Sequence, residues 1–271
     1  MNVIKLFILL FLAQTLLEAN IYYAKVEPYT VQKISSNVTG VVMQVREDML
    51  GKKLSQKPFI VIDAQLDKEE LKHLKKKLLL TQNMLHIDEN ITFNLAKSLE
   101  KKRLNYEKVK NLKIKSSVEK DREFYDLINS ENGYLLKQNE INTLKMKLSD
   151  LELRESQLLR ILSDKSLVAS GLILYTLNVK VGEVVNKSTP LATLIDTSKA
   201  ILTIYLDEED MLHRKDIEIY IDGKQTGYKI DRLLTVADAQ NISKYMAQII
   251  IKSPKIFSKL VKIELKSKNA K

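Results

Sequence analysis

The sequence predicts an elongated α+β protein, a small β-domain split by a long antiparallel coiled-coil hairpin and followed by a small β-barrel. Three observations predict it. No proline lies between Pro58 and Pro190, so a long helical stretch has no strong breaker. That stretch carries apolar residues at alternating three- and four-residue steps, and the two segments flanking it resemble each other and alternate as strands do.

Taken in order, Met1 to Lys5 give a short positive end and Leu6 to Leu17 are apolar apart from Gln14 and Thr15. The run is short for a membrane-spanning helix, which needs about 20 apolar residues. Leu17-Glu18-Ala19 offers an imperfect cleavage position, so residues 1–19 read as a signal peptide, or else as a short N-terminal anchor.

The first β-half leads from Val38-Thr39-Gly40-Val41-Val42 through Gly51 to Pro58 and Phe59-Ile60-Val61-Ile62-Asp63. The second leads from Ala169-Ser170-Gly171-Leu172-Ile173 through Gly182 to Pro190 and Leu191-Ala192-Thr193-Leu194-Ile195-Asp196. In both, ten residues separate the glycines and an Ile-Asp pair closes the segment, which makes an internal repeat with β-type alternation. Two unrelated strand pairs are the plainer alternative.

Between the halves, helical character runs from Asp67 to about Leu112 and again from about Ser117 to Ser163. The second segment has the cleaner seam: Ile141, Leu144, Leu148, Leu151, Leu158 and Leu162, interrupted by Glu155. The first carries Leu71, Leu74, Leu78, Leu85, Leu95, Leu99, Tyr106 and Val109, with Thr81, Asp88, Thr92 and Lys102 as polar interruptions. Asp67-Lys68-Glu69-Glu70 reads as the capped start of the first helix. Ser116 followed three residues later by Glu119 reads as a capping box at the start of the second. Only a few residues, around Lys113 to Lys115, join them, which forces antiparallel neighbours. Each arm should reach about 65 to 70 Å at the helical rise per residue.

From about Ala200 onward, Ile201–Leu206, Ile217–Ile221 with the turn Asp222-Gly223, and Tyr245–Ile251 read as short strands of a small barrel. The expected domains are 20–65 with 164–199 for the split β-domain, 66–163 for the hairpin and 200–271 for the barrel.

Composition narrows function. The net charge of +10 comes mostly from lysines interleaved with acids along helices, without the arginine forks or aromatic platforms that nucleic acids call for, so no nucleic-acid partner is expected. The chain has no cysteine, which removes disulfides, thiolate metal sites and a cysteine nucleophile.

The order of β-half, long hairpin, matching β-half and small barrel resembles the HlyD-like membrane fusion proteins, the periplasmic adaptor subunits of tripartite efflux and secretion systems. The resemblance covers nearly the whole chain after residue 19. It implies that the two flanks fold together as a lipoyl-like domain. It also implies a non-enzymatic adaptor in the periplasm, associated with the inner membrane, that links an inner-membrane transporter of RND or ABC type to an outer-membrane channel, with several copies side by side as a homo-oligomer. Adaptors of the efflux type carry an Arg, a Leu and a Ser at the hairpin tip, spaced by four and seven. Asn105, Val109 and Ser116 keep that spacing, with only the serine identical, and are the expected channel contacts. Ser116 has a competing role as a helix cap. Little chain is left for a full membrane-proximal domain built from both termini.

Two other classes of protein share parts of this layout. A structural periplasmic coiled-coil protein shares the hairpin without the transport role. A biotinyl or lipoyl carrier shares the β-domain, but its modified lysine sits on the tight turn that the hairpin replaces here. Lys145-Met146-Lys147 resembles a biotin-acceptor string yet lies inside the coiled-coil repeat. His73, His86 and His213 are too scattered for a shared metal, and the acidic run Asp207 to Asp210 lacks the alternation of a calcium loop and reads as a short helix start. No catalytic residue, metal or cofactor is expected.

Overall fold

The computed structural model describes residues 20–212, 217–236 and 244–267. The expected signal peptide and His213 lie outside the described residues. Two β-modules are threaded by two long strands, β1 (Asn20–Ser35) and β7 (Pro190–Leu206), and the helical hairpin leaves from the first module.

The split module closes as the repeat requires. β2 (Gly40–Val45) and β3 (Ile60–Ile62) come from the first half, and β5 (Ile173–Leu177) and β6 (Val184–Val185) from the second. β4 (Ser166–Leu167) joins β3 directly after the hairpin, so one four-stranded sheet runs β4-β3-β2-β6 with strands of both halves adjacent. Val38, Val42, Phe59, Ile60 and Ile62 share one core with Leu174, Val179, Val185, Leu191 and Leu194. Neither half can bury its apolar side alone, so the chain must return after the hairpin to complete the module. The return brings Gly40 and Gly171 into the same module.

The hairpin consists of α1 (Gln65–Val109) and α2 (Ser117–Asp164), about 67 and 72 Å long at 1.5 Å per residue. Its best-packed part lies nearest the β-module, where Leu74 and Leu78 meet Leu148, Leu151 and Leu158. The first helix starts two residues before the expected position, with Asp63 accepting from the Gln65 amide at 3.0 Å. Asp67 is therefore no cap. It sits in the first turn and pairs with Lys165, just past the end of α2, at 2.5 Å. Each polar interruption of the first seam has a partner. Thr81, buried, donates to the Lys77 carbonyl, Thr92 donates to Asp88 O, and the Asp88 carboxylate pairs with Lys137 across the helices at 2.8 Å. Glu155, the gap in the second seam, faces Lys75 at 3.8 Å. Lys145-Met146-Lys147 lies on the exposed side of α2.

The second module is a strongly curled sheet. Together with β8 (Ile217–Ile221), β9 (Lys224–Gln225), β10 (Arg232–Leu233), β11 (Tyr245–Lys252) and β12 (Leu260–Ser267), the long strands give the order β10-β11-β7-β1-β12-β8-β9, with β5 joined to β7. Leu202, Ile204 and Leu206 alternate inward from β7 to meet Ile249, Ile263 and Leu265. This is the barrel-like unit expected, with no closing pair between β9 and β10 among the described residues. A short helix, α3 (Glu208–Leu212), begins at the acidic run.

The first of the described residues sit differently from expectation. Residues 20–25 pair with β12, from Asn20↔Leu265 to Lys25↔Leu260, and Ala24 and Val26 are buried in the barrel core. Only beyond Val26 does β1 follow β7 into the split module, as Val31↔Ile195 and Ile34↔Ala192. The reason is an open edge: β12 offers unpaired backbone groups, and the alternating Tyr22, Ala24 and Val26 present a matching apolar side. Among the described residues no helix is long and apolar enough to cross a membrane.

Candidate docking site at the hairpin tip

The tip is set by two local devices. The first helix stops at Val109, after which the Leu112 amide donates to the Val109 carbonyl and starts the turn. The second begins at the capping box. The Ser116 hydroxyl accepts from the Glu119 amide at 3.3 Å, while the Glu119 carboxylate accepts from the Ser116 amide at 3.0 Å. These bonds satisfy two of the donors that every helix start leaves unpaired.

The expected contact residues occupy different settings. Asn105 is exposed, about one turn before the end of α1, and Val109 is half-buried at its last position. Ser116 is exposed, but its amide and hydroxyl are both engaged in the cap. The structure thus brings the three to one end of the arm without a single shared face being required of them.

Two residues not singled out from sequence dominate the apex. Ile114 is 89% exposed and Val118 74%, with Leu112 beside them. Ile114 lies in Lys113-Ile114-Lys115, outside both seams, and an aliphatic residue in a turn with no seam to join was the available signal. Behind the apex, Tyr106 packs on Phe124 with centroids 5.6 Å apart, and Phe124 touches Tyr125.

The electrostatics are one-sided. Glu107 is paired with Lys110, and Glu119 with Lys115. The Lys115 ammonium, followed by the Ser116 amide and hydroxyl, holds the Glu119 carboxyl below its usual range. Lys108, Lys113 and Lys120 face no acid partner among the described residues. No group of three or more His, Cys, Asp or Glu side chains is placed to hold a metal among the described residues. His73 and His86 are exposed on α1, and near Asp207 the half-buried Tyr22 hydroxyl donates to Asp210 at 2.5 Å, its ionisation pushed up by partial burial and then by that bond.

No protein-family model matches the sequence, and no curated protein matches it. Solved structures do. The chain superposes on MacA from Actinobacillus actinomycetemcomitans with TM-score 0.61 and 17% identity, over 92% of this chain and 78% of that one. On the membrane fusion protein Spr0693 from Streptococcus pneumoniae R6 the TM-score is 0.64 at 11% identity, over 92% and 100%. On a MacA-MexA chimeric protein containing the Pseudomonas aeruginosa MexA α-hairpin domain it is 0.53 at 13%, over 92% and 82%. Identities this low speak to fold alone.

Proposed function

We infer that this chain, which has the membrane fusion protein fold, works as a periplasmic adaptor that links an inner-membrane transporter, of RND or ABC type, to an outer-membrane channel for efflux or secretion. The observation that carries the reading is mechanical. Two β-halves more than a hundred residues apart in sequence close on each other and throw what lies between them outward as a stiff arm. Such an arm transmits contact by length and surface, with no turnover of its own. In this reading the β-modules stay near the inner membrane and the tip, with Asn105, Val109 and Ser116, meets the channel.

A homo-oligomer belongs to the same reading. Leu80, Met84, Ile87 and Ile91 lie exposed on α1 at the four-three-four steps of a seam, and Leu136, Met146 and Leu153 are exposed on α2. Free apolar stripes on both helices favour neighbours side by side.

In-cell cross-linking followed by purification tests the reading. Recovery of both a transporter and an outer-membrane channel is the expected result. Recovery of neither would reassign the chain to a structural coiled-coil protein of the periplasm. Intact-mass measurement showing lipoyl or biotinyl addition on a lysine would turn it into a carrier.

A further inference from the structure

We propose that neighbouring copies of this chain join edge to edge through the split module, β6 of one copy pairing with β4 of the next, so that the four-stranded sheet continues from copy to copy. The proposal rests on the side-by-side reading above and deepens it, because it names the surface that holds the copies together.

The sheet runs β4-β3-β2-β6, and among the described residues neither end strand pairs with anything beyond it. At one end the Val42 amide donates to Glu183 O, so in an antiparallel ladder the next residue, Val184, turns its own amide and carbonyl away from β2. At the other end the Ile62 amide donates to Lys165 O, and Ser166 likewise turns its backbone groups away from β3. Unpaired edge groups are a template for another strand. Three antiparallel pairings separate β4 from β6, so the two run in opposite directions. A second copy set alongside with its arm parallel keeps those directions, and the new pair is antiparallel as well.

The side chains at the two edges differ as a head-to-tail contact requires. Beside β6, Val184 and Val181 are 66% and 61% exposed, and Val41, the register partner of Val184, is exposed with them. Beside β4 lies a groove of about 390 Å³ between Ser166, Val168 and the end of β1 at Ile34, lined at its base by the core residues Phe59 and Leu194. Residues 30–35 of β1 pair with β7 alone, so this groove opens between two free strand edges. Projecting valines on one side and a hollow with an apolar floor on the other fit each other and not themselves. Charge does not oppose the contact: the β6 side carries Lys180, Glu183 and Lys187, and the groove carries Arg160 with Asp164.

Each edge strand is only two residues long, so the backbone bonds are few and the valines must supply most of the binding. The exposed Leu80, Met84 and Ile87 of α1 and Met146 and Leu153 of α2 extend the same apolar contact along the arm. Such a contact is heterologous. It leaves a free β4 and a free β6 at the two ends of any row, and it repeats until the row closes into a ring.

Single cysteines placed in the cysteine-free full chain read the contact. Under mild oxidation, a mixture of Val168→Cys and Val184→Cys chains should form a mixed disulfide roughly ten-fold faster than either chain forms one with itself. Val184→Asp should weaken self-association in analytical ultracentrifugation roughly ten-fold. Circular dichroism should be unchanged in that variant, because the side chain it replaces is exposed. Val168→Lys in the same chain should recover most of the loss, since the two new charges meet across copies. The arm pair, Ile87→Cys with Met146→Cys, is oxidised in parallel. If the arm pair links while the edge pair does not, if position 184 links to itself as fast as to position 168, or if Val184→Asp associates undiminished, the edge contact is wrong and side-by-side assembly stands. If neither pair links and the chain sediments as a monomer, both fall. A benzophenone at position 168 capturing a different protein in cells, with no edge disulfide, would give the groove to that partner and overturn the proposal.

Discussion

Val42 and Leu174 occupy equivalent places in the two halves of the split module. The Leu174 amide donates to Lys52 O and its carbonyl accepts from the Gly51 amide. The Val42 amide donates to Glu183 O and its carbonyl accepts from the Gly182 amide. Each half thus lays its glycine turn on the other half's strand, and both anchor side chains are fully buried. The sequence repeat is therefore a pair of reciprocal hydrogen-bonded clasps. The clasps fix the base of the arm, on which any function by reach depends.

Because both turns run through positive φ, +74° at Gly51 and +88° at Gly182, an L side chain there is strained. Gly182→Ala should cost about 1–2 kcal/mol, and Leu174→Ala, which empties a core site, about 2–5 kcal/mol. Urea unfolding measures both. A Leu174→Ala variant as stable as the parent would contradict a shared core.

The base of the arm is also held by the Asp67–Lys165 pair, whose side chains are only 20% and 13% exposed. Partial burial puts its value between that of a surface pair and that of a fully buried one. Removing Lys165 should cost roughly 1–3 kcal/mol. A double-mutant cycle with Asp67→Asn and Lys165→Met should give a clear coupling energy; coupling near zero would leave the closure to the β-clasps alone.

The tip cap should be pH-sensitive in one direction. Glu119 titrates lower folded than unfolded, so its contribution is complete above the unfolded value of about 4.3 and is lost as pH falls through the lower, folded one. Amide exchange at Glu119 and Lys120 should accelerate on acidification below about pH 4 relative to mid-arm amides. A Glu119→Gln variant should lack that dependence.

For the channel contact, Val109→Asp and Asn105→Glu should block engagement while the fold persists. Drug or metal tolerance of cells carrying both changes is the readout, and unchanged tolerance would remove this site. Ser116 needs a different design, because Ser116→Ala also removes the cap at a cost of about 1 kcal/mol. Ser116→Thr keeps a capping hydroxyl and adds bulk, so a loss of tolerance there reports contact.

Side-by-side assembly predicts a disulfide between copies. Lys145 pairs with Glu89, which puts Met146 near the level of Ile87 along the arm, and both are exposed. Mixing Ile87→Cys and Met146→Cys chains should form a mixed disulfide faster than either forms with itself. Absence of any cross-link, together with a monomeric mass by analytical ultracentrifugation, would count against the oligomer.

What the sequence determined by itself is the local part of the molecule. The Ser116–Glu119 box, the leucine steps of α2 and the twin glycine turns depend on residues close together in the chain, so their spacing carries the information. Tertiary structure decided what depends on distant partners. Asp67 looks like a cap until Lys165 is brought beside it, and Asp88 looks like a flaw in a seam until Lys137 receives it. The start of β1 belongs to the barrel because the edge of β12, some 240 residues away, is where its hydrogen bonds are met. Ile114 is conspicuous only once both seams are closed, since exposure is a property of the packed chain. Backbone and charged groups must find partners wherever the fold supplies them, and that supply is written in no single stretch of residues.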